Sequence, residues 1–499
     1  MRTKPFLLIV LDGVGINLNK EGNALALAKA PNFNYLWKNY PHSRLKAYGE
    51  AVGLEKDNIG GSEVGHLHLS AGRIVPQELK IINDAIKSKN FFKNEILINA
   101  MRKSRNSALH LVGLLSDGGV HSDYNHLHAL LRLAKQEGVS RVYIHAFLDG
   151  RDVHPRSAIK YLKQLEKWTE EVRIGKLATI IGRVYAMDRA NRWDRTKKAY
   201  NLLFKGKGKY ISTDPEYLVN KLYKKGKRDE YFSAYIFDKQ GVIRRGDVVI
   251  NYNYRADRAK QLMHAITDRE FYNFWRIYTP VHAVGMAPYS EHIKIPAAYL
   301  HPHVENTLGA VIARAGLNQL RIAEKEKFNH VTFFFNGDSD IQFSGEDRIC
   351  VPSPVVRSYD LSPAMSSKKV TKLLLKNINK YDFILVNFSN GDMVGHTGNV
   401  KAAVKAIESL DELLGKIIKK VMSLSGEAVI TADHGNCDEM IDNHEMSTNH
   451  SKNPVPFIVI TKRKIKLREK GELSNVAPTV LQLLRLKKPK EMTKSSLIV

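Results

Sequence analysis

The chain has 499 residues, 43% hydrophobic and 26% charged, the proportions of a soluble globular protein with room for two to four domains. Its formal net charge of +26 points first to nucleic acid, but lysines run along the whole chain and the clusters at 205–209, 224–228 and 462–470 are short. With no zinc-finger or ribonucleoprotein motif beside them, the excess reads as a solvated surface that steers anionic ligands, with no specific nucleic-acid partner.

Two cysteines, Cys350 and Cys437, exclude a disulfide framework and fit a reducing cytoplasm. No stretch approaches the ~20 apolar residues of a membrane span. Arg2 and Lys4 before the run Phe6–Leu11 imitate a signal peptide. The run stops at Asp12, too short for a signal core, and no cleavage pattern follows, so it reads as a buried first strand.

Residues 60–65 read Gly-Gly-Ser-Glu-Val-Gly and precede His66. The glycines permit close backbone approach and expose the Ser62 hydroxyl. Serine is a poor nucleophile until a base or a metal lowers its pKa, and no Ser/His/Asp hydrolase elbow is visible. Metal activation is therefore the better mechanism for Ser62; the bland alternative is a glycine-rich turn with an incidental serine.

Pro76 marks a break. Beyond it, apolar runs at 108–115, Val142–Leu148 and 248–250 alternate with amphipathic stretches of helical length, 124–137 and Ala158–Val172. A second break lies near 296–302, where prolines and histidines interrupt the pattern. Further apolar runs follow at 331–335, 383–386, Glu427–Thr431 and 457–460, with a helical stretch at 400–422. Buried strands alternating with helices predict an α/β protein with largely parallel sheets, one domain interrupted by an inserted one.

Three strand ends carry candidate ligands: Asp12 after the first strand, Asp392 and His396 after the run at 383–388, and Asp433-His434 after the run at 428–432. His450 precedes a fourth apolar run. Ligands gather at the carboxyl ends of strands in open α/β sheets, so these residues can converge. Singly, each Asp is a turn former and each His a hydrogen-bonded structural residue; the repetition at three strand ends raises the metal reading. Three carboxylates and three imidazoles suit Mn²⁺, Zn²⁺, Co²⁺ or Fe²⁺ and are too many for one tetrahedral site. Two ions about 3.5–4 Å apart would clamp the attacking and leaving oxygens of a phosphoryl transfer.

These residues sit in longer motifs. Leu11-Asp12-Gly13, residues 61–66, Ala71-Gly72-Arg73, residues 115–122, 145–152 and 182–193, Arg255-Ala256-Asp257-Arg258, and residues 321–327, 331–337, 345–348, 392–398 and 431–436 run nearly end to end. On them the chain resembles the cofactor-independent phosphoglycerate mutases of the alkaline phosphatase superfamily.

The resemblance implies a phosphatase-like metal-binding domain made of 1–75 and 301–499, interrupted by an inserted transferase-like substrate domain at 76–300. It implies one ion on Asp392, His396 and His450 and another on Asp12, Ser62, Asp433 and His434, with Mn²⁺ the first expectation. Substrate contacts fall on His121, Arg151, Asp152, Arg183, Arg189, Arg255, Arg258 and Lys327. The implied reaction interconverts 3-phosphoglycerate and 2-phosphoglycerate in glycolysis and gluconeogenesis through a phosphoserine on Ser62, without 2,3-bisphosphoglycerate, in a cytoplasmic monomer with no membrane partner. Lys327 would stabilise the phosphoryl charge and Asp152 would be the base for the receiving hydroxyl. The chain departs from the family's usual pattern at Gly61, where asparagine is usual and is held to contact phosphate, at Asp123, where histidine is common, and at Asp338, where glycine is usual. Cys437 lies near Asp433 and His434 but is read as no ligand.

Overall fold

The computed structural model describes residues 5–442 and 444–499; Arg2 and Lys4 lie outside them. The chain divides into two compact units, Met1–Pro76 with Pro302–Val499, and Gln77–His301.

The first unit is built on an eight-stranded sheet, in the order Glu346–Val351, Gln319–Glu324, Phe383–Phe388, Phe6–Leu11, Glu427–Thr431, Val455–Ile460, His42–Lys46 and Lys470–Glu472. The first five strands are parallel, and Val455–Ile460 runs antiparallel to both neighbours. Phe-Leu-Leu-Ile-Val-Leu at 6–11 is buried at every position, as a parallel strand covered on both faces must be. The helix Val400–Ser423 buries Ala403, Ile407, Leu410, Leu414, Ile417 and Val421, a stripe at three- and four-residue spacing, and Asn399 caps it by accepting from Ala402 N–H. This parallel order places the carboxyl ends of Phe6–Leu11, Phe383–Phe388 and Glu427–Thr431 side by side, with Asp12, Asp392 and Asp433 just beyond them.

The second unit holds a seven-stranded sheet, ordered Lys209–Tyr210, Tyr235–Ile236, Lys176–Gly182, Val142–Leu148, Leu109–Leu114, Val248–Asn251 and His282–Gly285. It is parallel except where Tyr235–Ile236 opposes Lys176–Gly182. Alternate residues feed two cores: Leu109, Leu111, Ile144 and Ile250 pack on one face, and Val112, Leu114, Phe147 and Val249 on the other. Helices cover both faces of such a sheet.

One expected strand is a helix. Residues 331–335 are apolar and β-rich, yet His330–Phe334 forms a wide π-helical turn. Val331 and Phe335 are buried while Phe333 and Phe334 are half-exposed, the four-residue spacing of a helix face rather than strand alternation. The Thr332 hydroxyl donates back to Phe328 O at 2.8 Å, and the His330 ring packs 5.5 Å from His66. The contact with the Ser62 helix decides the conformation.

One of the departures caps a helix and another sits in a backbone conformation that favours glycine. Asp123 is the N-cap of Tyr124–Gln136 and accepts from Asn125 N–H at 2.8 Å. Asp338 takes φ 58°, the left-handed region that glycine enters without steric cost.

Candidate functional site

Ser62 opens the helix Ser62–Ala71, and the preceding Gly61 supplies no side-chain cap. The helix lies hard against the end of strand Glu427–Thr431: a Cβ on Gly65 would stand 2.7 Å from Asp433 O. Ser62 Oγ is thereby brought 2.8 Å from His434 Nε2, 3.3 Å from Asp12 Oδ1 and 2.5 Å from Lys327 Nζ. The Lys327 ammonium also donates to Asp12 Oδ1 and Asp392 Oδ2, each at 2.7 Å.

Among the described residues the donors form three groups, within each of which the ligand atoms lie within 4.8 Å of one another: Asp392, His396 and His450; Asp12, Asp392 and His434; and Asp12, His66 and Asp433. The first group tests the fit to a cation. His396 Nδ1 is 2.7 Å from Thr448 O and His450 Nδ1 is 2.8 Å from Gly60 O. Donation to those carbonyls puts the ring protons on Nδ1 and leaves lone pairs on both Nε2 atoms. These stand 3.1 Å apart and 3.2 Å from Asp392 Oδ1. Two lone pairs and a carboxylate oxygen facing one point are what a divalent cation requires.

The electrostatics agree. Asp12, Asp392 and Asp433 are buried around one ammonium. Burial, together with Asp433 and Asp392, pushes Asp12 up to about 7 against the pull of Lys327. Burial also opposes ionisation of Asp392 and Asp433, but Lys327 and the neighbouring histidines hold both well below the usual carboxylate range. The three carboxylates in turn outweigh burial and hold Lys327 above its ordinary value. Burial pulls His434 down to about 4, and the hydrogen bond to Asp392 lifts His396. Additional positive charge is the natural complement of this cluster.

The second unit gathers a cationic group of its own. Arg183 Nη1 donates to Asp149 Oδ1 at 2.5 Å and Asp152 Oδ2 at 2.6 Å. Asp257 takes Arg189 at 2.7 Å and Arg255 at 3.3 Å, and lies 3.5 Å from His121 Nδ1. Arg258 donates to Met187 O and stands within the field of Arg189, Arg183 and Arg151. Burial, and next Arg183, drive His121 down to about 3. Burial lifts Asp152 above the usual carboxylate value against Arg183, with Asp149 adding to the lift. Three of the five guanidiniums, Arg183, Arg189 and Arg255, pair with the three carboxylates, which leaves donors for a small anion.

A family model, the Metalloenzyme superfamily, matches residues 4–488. The 2,3-bisphosphoglycerate-independent phosphoglycerate mutase of Moorella thermoacetica is 48% identical over 99% of this chain and 98% of its own length. The mutase 1 of that name from Methanosarcina barkeri is also 48% identical over the same shares. A crystal structure of Leishmania mexicana phosphoglycerate mutase at low cobalt concentration superposes with a TM-score of 0.76 at 31% identity, covering 100% of this chain and 98% of that one. The chain belongs to the 2,3-bisphosphoglycerate-independent phosphoglycerate mutase family.

Within this phosphoglycerate mutase fold, Asp12, Ser62, Asp392, His396, Asp433, His434 and His450 lie together in the first unit. Lys327, expected both to stabilise phosphoryl charge and to contact substrate, stands with them. His121, Arg151, Asp152, Arg183, Arg189, Arg255 and Arg258 lie in the second unit, where the Arg151 side chain is exposed.

Three groups escaped the sequence reading. His66 Nδ1 is 2.9 Å from Ser62 O and 3.2 Å from Asp433 Oδ2. Asn387 Nδ2 reaches Asp12 Oδ2 at 2.7 Å and His66 Nε2 at 3.0 Å, while Asn436 Nδ2 donates to Asp392 Oδ1 at 2.9 Å. The available signal was an asparagine inside the apolar run Phe-Ile-Leu-Val-Asn-Phe, since a buried amide needs partners.

Proposed function

We propose that this chain interconverts 3-phosphoglycerate and 2-phosphoglycerate through a phosphoserine on Ser62. The observation that carries the reading is Ser62 Oγ at a helix N-terminus, within 2.8 Å of Lys327 Nζ and His434 Nε2 and flanked by convergent carboxylates. Asp392, His396 and His450 would hold one divalent cation, and Asp12, Ser62, Asp433 and His434 the other; bound there, the ions supply Lewis-acid charge stabilisation and lower the serine pKa. Mn²⁺ is our assignment for both, since imidazole and carboxylate donors suit it. No 2,3-bisphosphoglycerate takes part.

Ser62 Oγ attacks the phosphoryl group as the bond from phosphorus to the substrate oxygen breaks; that oxygen leaves as the glycerate hydroxyl, protonated by Asp152 or by water, and the other hydroxyl then attacks the phosphoserine and frees Ser62. The serine proton has an acceptor in Asp12 Oδ1, 3.3 Å away, since the His434 Nε2 lone pair is committed to the cation. Lys327 Nζ and the first amides of the Ser62 helix, free of a side-chain cap, stabilise charge on the phosphoryl oxygens. The unit Gln77–His301 is the substrate domain in this reading: His121, Arg151, Arg183, Arg189, Arg255 and Arg258 hold the glycerate, and Asp152 accepts the proton of the receiving hydroxyl. Its raised value suits a group that must both take and give a proton.

The partner is thus a small phosphorylated acid. We infer a cytoplasmic monomer, with both cysteines free, and no nucleic-acid or membrane partner; among the described residues no helix is long and apolar enough to cross a membrane. The test is an enolase-coupled assay with Mn²⁺ and no 2,3-bisphosphoglycerate. Turnover of 3-phosphoglycerate supports the reading, and release of inorganic phosphate in its place makes the protein a phosphatase of the same superfamily.

Metal binding depends on pH through His396 and also through Asp12, whose carboxyl, raised by burial to about 7, must lose its proton over the same range. The hydrogen bond to Asp392 raises the folded value of His396 above the ordinary 6.5, so the proton stabilises the metal-free fold fully below 6.5 and that contribution is lost as pH rises through the raised value. A cation needs the neutral imidazole and gains over the same window. His434, near 4, stays neutral throughout it. The rise in Tm caused by Mn²⁺ is therefore larger at pH 8 than at pH 6; equal shifts at the two pH values would remove His396 from the ligand set.

Gly61→Asn tests the missing asparagine. A Cβ at Gly61 would stand 3.4 Å from His450 Cε1, an ordinary contact, and φ −146° suits any residue. A hydrogen bond to a charged group contributes about 1.5–3 kcal/mol, so KM for phosphoglycerate falls by about 10–150-fold. A flat KM with a higher Tm would mean that the asparagine caps its own helix instead.

A further inference from the structure

We propose that Asp438 is a positioning residue for the metal centre, clasping the chain after Asp12 to the chain after His450 so that both donor groups keep their separation. This rests on the reading of that centre as a metal site. Asp438 is fully buried, five residues beyond Asp433. Its Oδ1 accepts from Gly15 N–H at 3.1 Å. Its Oδ2 accepts from the Ser451 hydroxyl and the Asn453 amide, both at 2.7 Å. Gly15 lies three residues after Asp12, and Ser451 adjoins His450. One carboxylate therefore joins the three segments that carry Asp12, Asp433-His434 and His450.

The backbone around it is shaped to the carboxylate. A Cβ on Gly15 would stand 2.5 Å from the Asp438 carboxyl carbon. A Cβ on Gly435 would stand 2.2 Å from Ser451 Oγ and 2.6 Å from Asp438 Oδ1. Ser451 N–H also donates to Gly435 O at 2.8 Å, so the clasp continues into main chain. A buried carboxylate is costly to desolvate, and here three donors from two other segments offset that cost. An apolar residue of the same size would fill the space without fixing any of the three. His450 is aimed by Gly60 O through one ring nitrogen, but the base of its loop is closed by the Asp438–Ser451 bond. Groups of this kind, one bond removed from the ligands, typically change metal affinity about 10–100-fold when mutated.

The experiment is a calorimetric titration of Mn²⁺ into chelator-stripped full-length protein, for the unmodified chain and for Asp438→Ala, Asp438→Asn and Ser451→Ala. The unmodified chain takes two ions; binding of none would overturn the metal reading itself and the clasp with it. Asp438→Ala weakens Mn²⁺ binding by about tenfold or more. Ser451→Ala keeps the Gly15 contact and weakens one ion more than the other. Activity lost in either variant returns with excess Mn²⁺, and KM for phosphoglycerate at saturating Mn²⁺ stays within about twofold, since neither residue meets substrate. A purely structural role would lower Tm and leave the Mn²⁺ affinities unchanged, and that result overturns the proposal. Should Asp438→Ala fail to fold, Asp438→Asn and Ser451→Ala decide by the same criterion.

Discussion

Ser62→Ala removes phosphoserine formation and mutase turnover together, a loss on the order of 10⁴-fold or more, the scale at which a covalent nucleophile acts. Among the described residues no second hydroxyl or thiol is shown bonded at Ser62 to replace it: the atoms around its Oγ are the Lys327 ammonium, an imidazole nitrogen and a carboxylate oxygen. The fold should survive the change. Alanine is at home in the first turn of Ser62–Ala71, and Lys327 keeps its bonds to Asp12 and Asp392. Rapid quench with labelled 3-phosphoglycerate, alongside metal analysis of the variant, checks this. Label on the alanine protein, or turnover within about tenfold of the unmodified chain, would sink the phosphoserine route.

Asp152→Asn lowers turnover by about 10²–10⁴-fold, the usual contribution of a positioned general base. Asparagine keeps the shape of the side chain and removes the charge. Arg183 retains Asp149 at 2.5 Å, so the arginine group stays in place and KM changes little. Asp152 lies in the unit Gln77–His301, whereas the proposed metal ligands all lie in the other. Phosphoserine formation therefore suffers less than turnover when the leaving hydroxyl draws its proton from elsewhere. Microscopic reversibility sets the counter-case: a base in one step is an acid in its reverse. If Asp152→Asn blocks phosphoserine as completely as Ser62→Ala does, Asp152 works in both half-reactions.

The α/β class was legible because parallel strands are buried on both faces. The runs Phe6–Leu11, Val142–Leu148 and Glu427–Thr431 carry no alternation, and each lies in a sheet over its full length. The long helix was legible from its apolar stripe, predicted at 400–422 and observed at Val400–Ser423. Residues 331–335 misled because aromatic and β-branched residues read as strand, while the burial of Val331 and Phe335 is set by the neighbouring Ser62 helix.

By itself the sequence set out the residue types of the candidate site, aspartates and histidines at strand ends and a serine between glycines, while the arginines entered through the resemblance. Those are local properties, written in short motifs. The tertiary structure alone decided who faces whom. It turned the Nε2 atoms of His396 and His450 toward Asp392 by occupying each Nδ1 with a carbonyl, and it set Lys327 among the carboxylates. It also joined Asp438 to Gly15 across 423 residues. The reason is geometric: parallel strand order brings distant chain ends within hydrogen-bond reach, and buried polar atoms must then find partners among whatever the sheet has placed beside them.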